Sequence, residues 1–158
     1  MAEPDPRLRL AFDEGVRAIS QQREDLDRLR GRVTTLASVA AIAASVLGGF
    51  SLPKHGASNW QLGAFSVGIA AFVTLIGLAC WLLRPIELTF ENDSKDIAEW
   101  AASNSIEVMY ANLAEHMSNH FSANEQELKK LYEKYQLAII ALGVLVAAFG
   151  LTLGLGAA

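Results

Sequence analysis

His116 and His120 stand four residues apart, a spacing that puts two imidazoles on one face of a helix. Two histidines so placed can ligate zinc. Glu115 is adjacent, but no His-Glu-x-x-His pattern and no third ligand at a fitting interval accompanies them. A polar helix face is therefore the expected role, and no metal is expected. Asn112, His116 and Asn119 fall on this face. With Asn104 at a turn nearby they form a candidate cytoplasmic groove for a small ligand. Cys80 is the single cysteine and lies in an apolar run, so neither a disulfide framework nor a cysteine-based metal site is expected. Hydrolysis needs a nucleophile paired with a base, and nucleotide phosphates need a glycine loop. The sequence carries neither, so no enzyme and no cofactor is expected.

The other polar groups of interest are hydroxyls inside apolar runs. Thr34, Ser38 and Ser45 share one helical face, and Ser66 and Thr74 lie in the next run; these are the candidate pore-lining residues. Their alternative role is packing, with each hydroxyl bonded to its own backbone. Small residues recur at steps of four in Ala37, Ala41, Ser45 and Gly49, with Ala40, Ala44 and Gly48 beside them. Gly150 and Gly154 make a second such spacing. Small residues let helix backbones approach closely in a membrane, so Ala37, Ala41, Ser45, Gly49, Gly150 and Gly154 are the candidate span-packing residues.

The elements that must position these groups follow from where charge is missing. Val33 to Leu52 holds 20 residues without a charge, Trp60 to Leu83 holds 24, and Gln136 to Ala158 holds 23. A bilayer core about 30 Å thick takes about 20 apolar residues as a helix. A short joint, Pro53 to Asn59, separates the first two runs and only permits an antiparallel return. The prediction is an all-α membrane protein with three spans, 33–52, 60–83 and 136–158. Trp60 and Trp81 suit the two interfaces of the second span. Pro53 and Pro85 mark segment ends, where proline does least harm.

Outside the spans the pattern is amphipathic. Leu8, Phe12, Val16, Ile19, Leu26, Leu29, Val33 and Leu36 recur at helical steps, with charges such as the Glu24/Arg28 pair on the other face. This helix, residues 1–32 with their polar lead, is predicted to run unbroken into the first span. After Pro85 an extended piece to Phe90, caps at Asn92 to Ser94 and a short helix at 95–102 are expected. Ser103 to Ser105 is the expected reversal. From there Ile106, Met109, Tyr110, Leu113, Met117, Phe121, Leu128, Leu131 and Tyr135 form one stripe that feeds the third span. Ser122 and Glu125 resemble a capping box and offer a competing turn. Extensions of the first and third spans are thus predicted to pair as a cytoplasmic helical bundle from segments 1–32 and 85–135, with coiled-coil pairing of subunits as one role for the first.

Charge sets the predicted orientation. Of 13 basic residues only Lys54 lies between the first two spans, and all 17 acidic residues lie on the face that holds the other 12. The positive-inside rule makes that face cytoplasmic: N-terminus in, C-terminus out, multi-pass in a bacterial inner membrane. The excess of acidic groups there argues against nucleic acid as a partner. No ionisable residue lies within a span, which argues against a proton-coupled transporter or voltage sensor.

A charged helix feeds a tight hairpin that ends Trp81-Leu82-Leu83-Arg84-Pro85, and the chain returns through Leu128-Lys129-Lys130-Leu131-Tyr132-Glu133-Lys134-Tyr135 into the last span. This order of elements is similar to that of small membrane proteins of actinobacteria. More loosely, it resembles the membrane-spanning effectors of bacterial cyclic-nucleotide defence, the Pycsar and SLATT-type groups. The resemblance implies homo-oligomerisation on a cytoplasmic signal, a cyclic nucleotide, followed by membrane leakage that stops an infected cell. A second expectation is a scaffold whose cytoplasmic helices dock a soluble partner protein. Membrane lipid is the expected surrounding in either case.

Overall fold

The computed structural model describes residues 5–50, 58–86 and 103–157, with backbone alone for 155–157. Three long helices make up the described chain: α1 (Pro6–Phe50), α2 (Asn59–Leu83) and α3 (Ile106–Ala157). The joint at 53–57, the extended piece after Ile86, the caps at 92–94 and the short helix at 95–102 lie outside the described residues.

Local chemistry explains the helix ends. Asp5 opens α1: its carboxylate accepts the Arg7 N–H at 2.9 Å, and Pro6 supplies a first-turn residue that has no N–H to satisfy. Ser58 caps α2 through a reciprocal box. Its hydroxyl accepts from the Gln61 N–H at 3.3 Å, and the Gln61 side chain accepts from the Ser58 N–H at 2.9 Å. At the other end Pro85 excludes the helical conformation for the residue before it, and Arg84 is extended at φ −57°, ψ 149°. The Arg84 guanidinium folds back over the Trp81 ring, 4.3 Å from its centroid. α3 starts beside Ser105, whose oxygens accept the Val108 and Met109 N–H groups. It continues through Ser118 to Asn124 without a break, and the Ser122 hydroxyl donates to the Ser118 carbonyl instead of capping a new helix.

The chain divides into two compact units, and α1 and α3 contribute to both. One unit comprises Met1–Arg28 and Ile86–Lys130; the other comprises Leu29–Pro85 and Leu131–Ala158. In the first, α1 and α3 run parallel. Phe12 meets Tyr110 edge-on at 5.6 Å, and further along both helices the Gln22 side chain reaches the Phe121 carbonyl. Charged residues occupy the open faces, where Arg28 bonds Glu24 at 2.6 Å and Asp25 at 3.4 Å. Such exposed pairs contribute only about 0.3–0.5 kcal/mol each.

The second unit holds the apolar parts of all three helices. Each helix is long and apolar enough to cross a membrane, and together they fit a multi-pass membrane protein. Only 17%, 22% and 33% of their most apolar windows are buried within the chain. The outward faces carry large alkyl groups: Ile42, Val73, Ile140 and Leu151 are each more than 60% exposed. Water would not leave so much contiguous apolar surface bare, whereas lipid solvates it. The core is Phe149 of α3, packed with Leu145 and Ala71 and flanked by Ala43, Ala44, Leu47, Phe65 and Phe72.

Gly68 is where this core is tightest. A Cβ built there would lie 2.5 Å from Cε1 and 2.6 Å from Cδ1 of the Phe149 ring, itself only 1% exposed. Gly68→Ala should therefore destabilise the span unit by about 1–3 kcal/mol, as overpacking does. Unfolding in mixed micelles would measure this, and Phe149→Leu in the same chain should recover most of the loss. An additive double variant would contradict this contact.

Candidate functional site

α3 places the polar candidates of the first unit along one side. Asn112 is half-buried, His116 exposed, Asn119 exposed and His120 half-buried. The two imidazole rings lie 6.2 Å apart at 52° to one another. Asn104 is exposed and precedes the helix, where its amide donates to the Ser103 hydroxyl at 3.1 Å. At 1.5 Å per residue Asn112, His116 and Asn119 stand about 9, 15 and 20 Å along α3 from its first residue, Ile106. Among the described residues no group of three or more His, Cys, Asp or Glu side chains is arranged to hold a metal ion.

The interior of this unit contains two polar residues that the hydrophobic stripe passed over. Gln22 is 5% exposed and Asn124 4%. Gln22 lies in step with Ile19 and Leu26, and Asn124 in step with Leu128 and Leu131, so both occupy core positions by spacing alone. The Gln22 Nε2 donates to the Phe121 carbonyl at 2.9 Å, while its Oε1 is buried without a protein partner. Gly15 rather than Val16 faces α3. A Cβ on Gly15 would come within 3.1 Å of the Met117 Cβ, and Val16 is 39% exposed. Ile106, the first member of the α3 stripe, is 47% exposed. The alternating three-and-four step from Phe12 to Val33 passes through positions 15 and 22, and that was the signal available for both residues.

In the span unit the hydroxyl candidates and one set of packing candidates turn out to share a surface. Thr34, Ser38, Ala41, Ser45 and Gly49 are all exposed along α1, and Ala37 beside them is half-buried. The Thr34, Ser38 and Ser45 hydroxyls donate to the carbonyls of Arg30, Thr34 and Ala41 at 3.0, 2.9 and 2.8 Å. Each O–H is thereby satisfied within its own helix, which removes the cost of facing hydrocarbon. Ser66 and Thr74 are exposed on α2. Gly150 and Gly154 are exposed on α3, with nothing within 4 Å of a Cβ at either.

Contact within one chain is made by a different set of small residues. Ala40 is fully buried and Ala138 likewise, Gly48 lies 3.6 Å from the Phe149 ring by its would-be Cβ, and Gly68 receives that ring from α2. Thr152, buried at 4%, donates to the Ala148 carbonyl at 2.9 Å. Two small-residue faces therefore remain open: α1 from Thr34 to Gly49, and α3 at Gly143, Ala147, Gly150 and Gly154.

Among the described residues all regular structure is helical, and the three long apolar helices fit a multi-pass membrane protein. No family model, curated protein or solved structure matches it.

Gln22→Leu should leave the first unit as stable as before or raise its melting temperature by a few degrees. Removing a half-satisfied buried amide offsets the single bond lost. Thermal circular dichroism of the detergent-solubilised protein would show it, and a drop of ten degrees or more would mean that the Gln22–Phe121 bond is worth far more than its geometry implies.

Proposed function

We propose that the chain is an oligomeric effector or channel-like protein of a bacterial inner membrane, with its N-terminus and its polar helical unit in the cytoplasm. On this reading a cytoplasmic signal, a cyclic nucleotide, acts on the helical unit, and association of the spans then breaches the membrane as part of antiviral defence. The observation that carries it is the combination of three apolar helices with small-residue faces that their own chain leaves uncovered. Helix association in lipid depends on close backbone approach, which such faces provide. The α3 face is uncovered, since a Cβ at Gly143, Gly150 or Gly154 would meet nothing within 4 Å. It is assigned here to the neighbouring copy. The hydroxyls of Thr34, Ser38 and Ser45, with Ser66 and Thr74, are the groups available to line a polar path.

A second reading is favoured by the exposed apolar side chains of the polar unit: Leu10 is 70% exposed, and Ile106 and Val108 nearly half. These would dock a soluble protein on a membrane scaffold. The two readings separate in one experiment. Inducible expression with a potential-sensitive dye should give depolarisation under cyclic-nucleotide or phage challenge if the chain is an effector. The scaffold would instead leave the potential intact and yield one stoichiometric partner on purification. For the effector, Gly150→Leu with Gly154→Leu should dissociate the oligomer in native mass spectrometry and abolish depolarisation. An oligomer unchanged by both substitutions would contradict the α3 assignment.

A further inference from the structure

Five basic residues fall within the span unit against a single acidic one, Glu133. Lys54 belongs to the joint between the first two apolar runs, and the other four gather at the opposite end. Gly48 and Gly68 both meet the Phe149 ring, which fixes the register of the three helices. Arg32 stands sixteen residues before Gly48, Arg84 sixteen after Gly68, and Lys134 fifteen before Phe149. At 1.5 Å per residue all three lie about 22–24 Å from that shared contact, and Arg30 about 27 Å. Leu29, Leu82 and Leu131, in or beside this layer, are each 2% exposed, so the unit is packed here as well as at its middle.

Two of the four cations are already held. The Arg84 guanidinium lies on the Trp81 ring, a contact that fixes the group without supplying an anion. Arg30 is half-buried, and its Nε is sealed from solvent with no protein partner. Its terminal nitrogens make no hydrogen bond among the described residues. Arg32 and Lys134 are exposed. None of the four forms an ion pair among the described residues, whereas Arg28 and Lys130 of the polar unit each do. Glu133 adjoins Lys134 in sequence, and adjacent residues on a helix do not face each other. The layer thus holds four positive charges that its own unit does not neutralise.

Depth identifies the anion. From Trp60 to Trp81 the helix rises about 32 Å, which matches a bilayer core about 30 Å thick. Trp81, with the half-buried Tyr132 and Tyr135, makes an interfacial belt. The cations lie at or just beyond that belt, at the level of lipid phosphates. A guanidinium holds a phosphate through paired charge-assisted N–H···O bonds, and side chains fixed beforehand lose less freedom in doing so. A zwitterionic headgroup brings a cation of its own, whereas an acidic headgroup brings net negative charge to meet the excess.

We propose that Arg30, Arg32, Arg84 and Lys134 form a binding site for the phosphate of an acidic phospholipid headgroup, in the leaflet at this end of the spans. The inference rests on the helices spanning a bilayer. It is independent of the effector reading and of which side of the membrane this end faces.

The test is native mass spectrometry of the full detergent-solubilised chain, titrated with phosphatidylglycerol or phosphatidylcholine of identical acyl chains. Phosphatidylglycerol adducts should exceed phosphatidylcholine adducts several-fold. Arg30→Gln with Arg84→Gln should bring the ratio towards one while phosphatidylcholine adducts and helical circular dichroism persist. Arg7→Gln with Arg9→Gln, which removes two exposed charges from the polar unit, should leave the ratio unchanged. A wild-type ratio near one overturns the site, and so does an equal fall in both double variants, which would make the preference one of total charge. Displacement of the lipid by inorganic phosphate or glycerol phosphate at comparable concentration would assign the collar to a soluble anion and overturn the lipid proposal. A chain that stays in solution without detergent and takes up neither lipid would instead overturn the bilayer reading beneath it.

Discussion

A backbone N–H or C=O in hydrocarbon has no water to bond, and each one left unpaired costs several kcal/mol. This constraint makes helices of the three apolar runs and governs the polar atoms within them. Thr34, Ser38 and Ser45 donate to carbonyls four residues back on α1, and Thr152 does the same on α3. Helix ends follow the same accounting. Ser58 and Gln61 satisfy each other's backbone groups at the start of α2, where the chain turns into its second apolar run.

Once the backbone is satisfied, packing has to come from shape, because lipid tails are as apolar as the side chains. Phe149 is the large partner and Gly68 the small one, with Ala71 and Gly48 completing the socket. The same logic makes holes as well as contacts. Where Ala44, Ser45 and Gly48 face Phe65 and Phe72 the helices do not close on each other, and a 450 Å³ space remains. A single geometry thus yields a locked side and an open side of the α1–α2 pair.

The polar unit obeys different physics. Its helices are pressed together by apolar burial of Ile19, Leu26, Leu113, Met117 and Leu128, yet Gln22 and Asn124 interrupt that core. The Gln22 amide makes one bond and leaves its acceptor unmet, so it adds little stability to the pair. Gly15 marks a close approach of the two helices, since a Cβ there would lie 3.1 Å from the Met117 Cβ.

The helices themselves were legible in the residues, and so were their continuity and the three stretches apolar enough to cross a membrane. Runs free of charge and a three-and-four apolar step are local properties, and local backbone bonding is what they dictate. The start of α3 beside Ser105 was readable from side chains that bond nearby backbone, although Ser122 and Glu125 offered an equivalent signal that the tertiary structure left unused. The choice of face was not legible. An apolar span is apolar on every side, so Ala41, Ser45 and Gly49 looked no different from Ala40, Ala44 and Gly48, nor Gly150 from Gly68. The outcome depended on which small residue met the Phe149 ring. The burial of Gln22 and Asn124 was decided at the same level, because polarity alone marks such residues for the surface and only the opposing helix can hold them inside.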